Sequence, residues 1–192
     1  YFLVYFHRVS PAVLVTDLQG SFGIGLTAVA ILSSVYFYAY MVMQLPCGAL
    51  TDRWGPRRTV CTFTALSALG AFVTALAGSF EMVVAGRMMI GLGVAMVYVP
   101  TLKVLSSWFR KDEFSTLTGV LLMIGNFGGL AAAGPLAAMS DLAGWRQVFL
   151  ALGFLTAVLT WLMWILVRDR PQDVGLPAVE EPEEGERVSL IP

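Results

Sequence analysis

Gly48-Ala49-Leu50-Thr51-Asp52-Arg53-Trp54-Gly55-Pro56-Arg57-Arg58 joins two stretches that carry no charge at all, about Gly25 to Leu50 before it and about Thr59 to Ala77 after it. A hydrocarbon core of about 30 Å takes roughly 20 apolar residues in helix to cross. Both flanking stretches meet that length, so the charged run reads as a tight connection between two membrane spans. Working outward gives four more spans. The first runs from Tyr1 to about Thr16, the fourth from about Met82 to Ser107, the fifth from about Phe114 to Met139 and the sixth from about Trp145 to Val167. Between them lie short polar breaks at Asp17–Ser21, Thr51–Arg58, Gly78–Glu81, Trp108–Glu113 and Ser140–Gly144. None of these is long enough to hold a soluble domain.

The connection has a counterpart. Asp52-x-x-Gly55-x-Arg57 recurs as Asp141-x-x-Gly144-x-Arg146, and each copy joins the second and third helices of a three-helix unit. Three spans is an odd number, so the two copies open to opposite sides of the membrane, as an inverted 3+3 repeat requires. The expected fold is all-α: a polytopic membrane protein of six transmembrane helices over residues 1–167.

Composition agrees. Of 192 residues, 57% are hydrophobic and 13% charged, with a mean hydropathy of +0.76. A soluble domain averages about 45–50% apolar and about 25% charged. Residues 168–192 differ, with seven acidic side chains against three arginines and several Pro and Gly, the composition of a disordered acidic linker. The chain opens without a Met inside an apolar run, so it is expected to be a portion of a longer protein whose second bundle lies beyond this linker. No dense basic face is present for nucleic acid. Cys47 and Cys61 have neither disulfide nor metal-ligand spacing, and neither a metal nor a cofactor is expected. The short loops carry Arg53, Arg57, Arg58, Arg110, Lys111, Arg168 and Arg170 on one side and only Arg146 on the other. The bias of basic residues toward the inside puts the even-numbered loops and the tail in the cytoplasm.

The chain resembles the N-terminal six-helix half of the major facilitator superfamily. The likeness rests on Gly48-x-x-x-Asp52-Arg53-x-Gly55-x-Arg57-Arg58, on Arg87-x-x-x-Gly91-x-Gly93, on Trp108-Phe109 with Glu113 and Gly119, and on Gly144-Trp145-Arg146-x-x-Phe149. Within the superfamily it looks most like the anion:cation symporter and organic-phosphate branch, through Tyr5-Phe6-His7-Arg8 with Ala12, Tyr40, Gln44-Leu45-Pro46 and Tyr98-Val99-Pro100-Thr101. The resemblance implies a substrate-binding arginine at Arg8 and a substrate or proton-coupling role for Arg87. It also implies that the loop motif is a latch between the two halves. Gln44 stands where organic-phosphate members often carry lysine, and Phe114-Ser115 follows Glu113 where the family usually has Arg-Gly.

The residues themselves support a site. A charge near the bilayer centre costs at least about 2.5–3.5 kcal/mol on insertion scales, so Arg8 and Arg87 require a wet cavity or a partner. Arginine's planar fork suits carboxylate, phosphate or nitrate. The alternative for each is a structural clasp to helix carbonyls. Tyr36, Tyr40 and Gln44, spaced by four, form one polar-tipped stripe of span two. Tyr98 falls eleven residues after Arg87, near the same face of an unbroken helix. Asn126 is the deep polar group of span five. His7 titrates near neutral pH and is the candidate proton carrier; Lys103 is expected to snorkel to the interface. Asp52 is placed to pair with Arg57 or to cap a neighbouring helix.

The expected function is therefore secondary active transport of a small organic anion, coupled to protons or sodium, by alternating access in the plasma (inner) membrane. The expected partners are the substrate, the coupling ion, the lipid bilayer and a C-terminal six-helix half, with two parallel copies of this half as the second choice. A channel-like or structural subunit is the competing class, distinguished by the absence of saturable uptake. An intramembrane protease lacks its motifs, since there is no Gly-x-Ser-x-Gly or His-Glu-x-x-His and His7 stands alone.

Overall fold

The computed structural model describes residues 1–13 and 15–177. These form α1 (Phe2–Val13), α2 (Val15–Phe22), α3 (Leu26–Trp54), α4 (Pro56–Ala75), α5 (Phe80–Ala95), α6 (Tyr98–Trp108), α7 (Lys111–Ala133), α8 (Pro135–Ala143) and α9 (Trp145–Leu166). A 3-10 turn at Pro171–Val174 follows. The acidic part of the expected linker, from Glu180 on, lies outside the described residues. The pairs α1/α2, α5/α6 and α7/α8 each supply one expected span, and α3, α4 and α9 supply one apiece. Among the described residues, five stretches are long and apolar enough to cross a membrane: Leu26–Trp54, Pro56–Ala75, Phe80–Trp108, Lys111–Ala133 and Trp145–Leu166.

The divided spans have local causes. Between α5 and α6 the amides of Met96 and Val97 reach back only three residues, to the carbonyls of Gly93 and Val94. Pro100, in the first turn of α6, has no N–H to offer the Met96 carbonyl, so the regular ladder cannot continue. Gly134 and Pro135 divide α7 from α8 in the same way, Pro135 standing at the first position of the new helix. Pro46 interrupts nothing; α3 runs through it.

The connections are shorter than the polar breaks in the sequence. Of Thr51–Arg58 only Gly55 leaves the helices, and of Ser140–Gly144 only Gly144. Asp17–Ser21 is not a loop but part of α2. Charge marks where a chain leaves hydrocarbon, whereas helix ends are set by backbone geometry, and the two need not coincide.

Those two glycines display the repeat. Gly55 has φ 85° and ψ 152°, and Gly144 has φ 82° and ψ 149°. This region is essentially restricted to glycine. Two residues after each turn an arginine makes a reciprocal contact. Arg57, starting span three, donates from Nε to the Trp164 carbonyl near the end of span six at 3.0 Å and lies 4.5 Å over the Trp164 ring. Arg146, starting span six, donates to the Ala77 carbonyl beyond the end of span three at 3.0 Å and lies 4.3 Å over the Trp145 ring. Exchanging spans three and six exchanges the two carbonyl bonds, at opposite ends of the molecule, although both rings belong to span six.

Part of the helix pairing follows the same exchange, although the close packing of α4 on α5 has no equally close counterpart between α9 and α1. α1 packs along α7, and α3 along α5, while α4 packs along α9. Small residues permit the close approaches. A Cβ on Gly70 would lie 2.7 Å from the Gly86 carbonyl oxygen, one on Gly91 2.6 Å from that of Tyr36, and one on Gly125 2.8 Å from the Tyr1 ring. α4 and α5 are mostly buried, whereas α3 and α7 leave most of their apolar surface uncovered, with Phe37, Met41, Leu45, Met123, Phe127 and Leu130 exposed.

Candidate functional site

The two arginines of the apolar helices α1 and α5 occupy different environments. Arg8, on α1, is exposed. Its guanidinium carbon lies 5.6 Å from the Tyr5 ring centre, 5.3 Å from that of Phe37 and 6.0 Å from that of Tyr40. Rings from α1 and α3 thus hold the group without using its N–H donors, and among the described residues no carboxylate or carbonyl bonds it. Cation–π contacts of this kind contribute about 0.5–1 kcal/mol at exposed sites and about 2 when desolvated, enough to orient the side chain.

Tyrosines extend this patch. Tyr1 packs edge-on against Tyr5 at 5.5 Å and, with its ring tilted, against Tyr98 at 5.4 Å, so Tyr98 joins the Arg8 group rather than stacking beside Arg87. The break before α6 is the reason, because the eleven-residue periodicity from Arg87 holds only along a continuous helix. Tyr40 is half-buried and stacks on Tyr36 at 6.4 Å.

Arg87, on α5, is 1% exposed. Its Nη1 donates to the His7 carbonyl at 2.8 Å, and its guanidinium lies 4.8 Å from the Tyr36 ring centre. Tyr36 is equally buried, beneath Tyr40, so it supports Arg87 and does not line an open face. His7 is fully buried; its carbonyl takes the Arg87 bond and a second from Ser10 Oγ at 3.1 Å. Among the described residues, both His7 ring nitrogens and Arg87 Nε have no hydrogen-bond partner. Arg87 therefore ties span four to the backbone of span one immediately beside Arg8.

Gln44 is half-buried, and its amide donates to the Ala95 carbonyl at 3.3 Å, at the break between α5 and α6. Its position stitches span two to the broken end of α5. Asn126 is exposed on α7, and its amide donates to Leu122 of its own helix at 2.8 Å. No described contact brings Asn126 to the Arg8 patch. Sequence reasoning named Arg8 and Tyr40 but not the rings of Tyr1, Tyr5 and Phe37. The spacing of Tyr1, Tyr5 and Arg8 along one helical face was the available signal.

At the end bearing the loop motif, the pairings differ from those expected. Asp52 pairs not with Arg57 but with Lys103, whose ammonium lies 2.5 Å from its carboxylate. Lys103 does not simply snorkel; it joins span four to span two. Arg57 turns toward Asp169, whose Oδ1 accepts from the Arg57 backbone N–H at 2.6 Å. The Gly55 turn causes this, redirecting the chain so that α4 starts beneath span six. Nearby the Trp108 indole donates to the Arg168 carbonyl at 3.0 Å. Gly48, Arg53 and Arg58 are exposed, and nothing lies within 4 Å of a Cβ built on Gly48. At the opposite end Ser140 donates to Asp17, joining spans five and one. Among the described residues no group of His, Cys, Asp and Glu could hold a metal ion.

Comparison with protein families matches the Major Facilitator Superfamily over residues 1–192. The "Probable L-galactonate transporter" of Escherichia coli strain K12 is 31% identical over 177 residues, covering 92% of this chain and 39% of that protein. The "Probable sulfoacetate transporter" of Cupriavidus necator is 23% identical over 184 residues, covering 96% of this chain and 43% of that protein. Among solved structures, a bacterial homologue of the human lysosomal transporter Spinster, in an inward-facing unoccupied conformation, superposes with a TM-score of 0.81 at 18% identity. That alignment covers 97% of this chain and 44% of the other. The chain thus spans about two-fifths of the length of these relatives.

Proposed function

The chain belongs to the Major Facilitator Superfamily, and from that premise we propose that it forms the N-terminal half of a secondary transporter carrying a small organic anion across the plasma (inner) membrane by alternating access. The observation that supports this reading is the Arg8 guanidinium on α1, oriented by three rings and, among the described residues, bonded by no carboxylate or carbonyl. An anion completes that group with charge-assisted hydrogen bonds. Tyr40 and Tyr98, with Tyr1 and Tyr5, border it with hydroxyls suited to a polyhydroxylated or otherwise polar anion. Two relatives are named for organic anions, L-galactonate and sulfoacetate, which supports the same substrate class.

In this reading the uncovered faces of α3 and α7 meet a C-terminal six-helix bundle, and substrate binds between the bundles. The loop motif, with Gly48, Asp52, Arg53, Gly55, Arg57 and Arg58, faces the cytoplasm and acts as the latch. Asp52 exchanges its Lys103 partner for the second bundle during the cycle. His7 is the candidate proton carrier for coupling, with sodium as the alternative ion. Tyr36, Gln44 and Arg87 position the binding residues rather than touch substrate, and Asn126 reaches it only if the second bundle redirects it.

The test is uptake of labelled sugar acids by the full-length protein in proteoliposomes, with and without an imposed proton or sodium gradient. Removing a hydrogen bond to a charged group costs about 1.5–3 kcal/mol, so Arg8→Ala raises KM about tenfold to 150-fold. Saturable wild-type uptake with an unchanged KM in Arg8→Ala overturns the assignment of Arg8. Non-saturable flux overturns transport in favour of a channel.

A further inference from the structure

On the outside of the bundle α4 and α9 frame a groove of about 480 Å3. Its cause is local. Ala65 and Ala68 on α4 and Ala157 on α9 are too short to fill the seam between the helices, and the larger Leu69, Phe72, Trp161 and Trp164 stand around them as walls. Ala65, Leu69, Trp161 and Trp164 are exposed, so the groove is open along its length. No residue of α3 or α7 lines it, and a second bundle seated on those helices leaves it facing lipid. From Cys61 to Phe72 the groove follows α4 for eleven residues, about 16 Å of helix. A hydrocarbon core is about 30 Å thick, so the groove has the depth of one leaflet, the leaflet beside the loop motif.

The end of the groove at the loop motif is basic. Trp164 closes it, and the Arg57 guanidinium lies 4.5 Å over that ring. Arg57 Nε and Nη2 both donate to the Trp164 carbonyl, which fixes the group and leaves Nη1 unbonded among the described residues. Arg58 precedes Cys61 and Thr62 by three and four residues, so it continues the groove-lining face of α4 one turn further. It is exposed, and among the described residues it has no partner. On the other wall Arg168 follows Trp164 by four positions, and its Nη1 caps the carbonyls of Ile165 and Val167. Asp169, the acid beside them, is turned to the Arg57 backbone N–H at 2.6 Å. Three guanidinium groups thus stand against one carboxylate where an apolar groove meets the membrane surface. Basic sites between helices at this depth suit lipid head groups, and tryptophan favours the same interface.

We propose that this groove holds an anionic phospholipid, its phosphate head on Arg57, Arg58 and Arg168 and one acyl chain laid between α4 and α9. A zwitterionic lipid fills the same apolar space but carries its own cation to the arginines, so the preference is for net negative charge. The site is separate from the Arg8 patch and does not depend on what the protein transports. A lipid held there seals the seam between spans three and six at the end where Arg57 already joins them.

The test places the full-length protein in phosphatidylcholine nanodiscs with increasing fractions of chain-brominated phosphatidylglycerol, or of phosphatidylcholine brominated in the same way. Bromine quenches tryptophan on contact, and the emission lost between wild type and Trp161→Phe isolates the signal of Trp161. Half-maximal quenching of Trp161 is expected at a fraction about fivefold to thirtyfold lower for phosphatidylglycerol, the effect of one to two arginines at a membrane surface. Arg58→Gln should reduce that preference about fivefold, and Arg58→Lys should keep most of it. Ala65→Phe, at an exposed position where misfolding is not at issue, should abolish the preference by filling the groove. Arg110→Gln, on the loop before α7, should leave it intact. Equal quenching by the two lipids overturns the proposal, as does a preference that persists in Arg58→Gln or Ala65→Phe. So does an equal loss in Arg110→Gln, which marks diffuse attraction to the membrane, or an Arg58→Lys variant that behaves as Arg58→Gln. The readout is lipid occupancy, so any of these failures leaves the transport reading untouched.

Discussion

Replacing Gly55 and Gly144 separately by alanine isolates one contact within the repeat. The two glycines share a conformation to within a few degrees, φ 85° and ψ 152° against φ 82° and ψ 149°. Forcing an alanine into it costs about 1–3 kcal/mol at either position. Their surroundings differ. A Cβ on Gly144 meets nothing within 4 Å, whereas one on Gly55 lies 2.6 Å from Asp169 Oδ2. The carboxylate must move, which breaks its bond to the Arg57 amide, a charge-assisted contact contributing about 1.5–3 kcal/mol. Gly55→Ala should therefore destabilise the protein by about 1.5–3 kcal/mol more than Gly144→Ala. Tryptophan fluorescence during SDS-induced unfolding in mixed micelles reads the difference, since Trp145 and Trp164 lie at the two clasps. Combining the change with Asp169→Ala supplies the control. With the carboxylate gone, the surplus cost of Gly55→Ala should vanish, because only torsional strain remains. Equal losses at the two glycines, or a surplus that survives Asp169→Ala, would refute the idea that Asp169 occupies the space a side chain at position 55 needs.

Arg87→Ala should lower stability by about 1.5–3 kcal/mol, the range for losing a hydrogen bond to a charged group, measured as the same unfolding midpoint. Arg87→Lys should recover only part of it, because an ammonium cannot both bond the His7 carbonyl and stack on Tyr36. Asp52→Asn should change stability by less than about 1 kcal/mol, since the Lys103 pair is exposed, while slowing uptake in proteoliposomes; unaltered turnover would exclude a latch at this residue. Gly128→Leu should drive α1 away from α7, because even a Cβ there meets the Phe2 carbonyl, and overpacking of this kind costs about 1–3 kcal/mol; an undiminished yield of folded protein in detergent would contradict that packing.

The repeat could be read from the sequence because its signal is short and local. Asp-x-x-Gly-x-Arg specifies a turn only glycine adopts and an arginine two residues into the next helix. The partners of those arginines could not be read, because Trp164 and Asp169 lie more than 100 positions from Arg57 and become neighbours only once α4 and α9 pack. Pairing Asp52 with Arg57 by proximity failed for the same reason, since Lys103, 51 positions away, is nearer in space. Tyr98 was placed by helical periodicity, and that argument fails where Pro100 stops the helix from being continuous. Pro46, an equally visible signal, breaks nothing. A proline marks only the absence of a donor, and whether the helix divides depends on what else holds the backbone there.

The contrast between Arg8 and Arg87 shows how burial, not residue type, assigns the roles. Both are guanidinium groups within apolar helices, and among the described residues neither has an acidic partner. Arg87 is closed off, so its charge must be met from inside, and the His7 carbonyl and the Tyr36 ring meet it. That arrangement uses the carbonyl of the residue immediately preceding Arg8. Arg8 is left to rings alone, which fix its direction and leave its donors unused. The peptide unit between residues 7 and 8 therefore joins the two. On the proposed reading, an anion drawn to Arg8 would pull on a backbone segment whose carbonyl is bonded to span four. Span one cannot shift along its axis by more than a few tenths of an ångström without either lengthening the Arg87 bond beyond hydrogen-bonding range or carrying span four with it. With α1 packed tightly on α7, the first of the six spans is fastened on the sides facing Arg87 and Gly128.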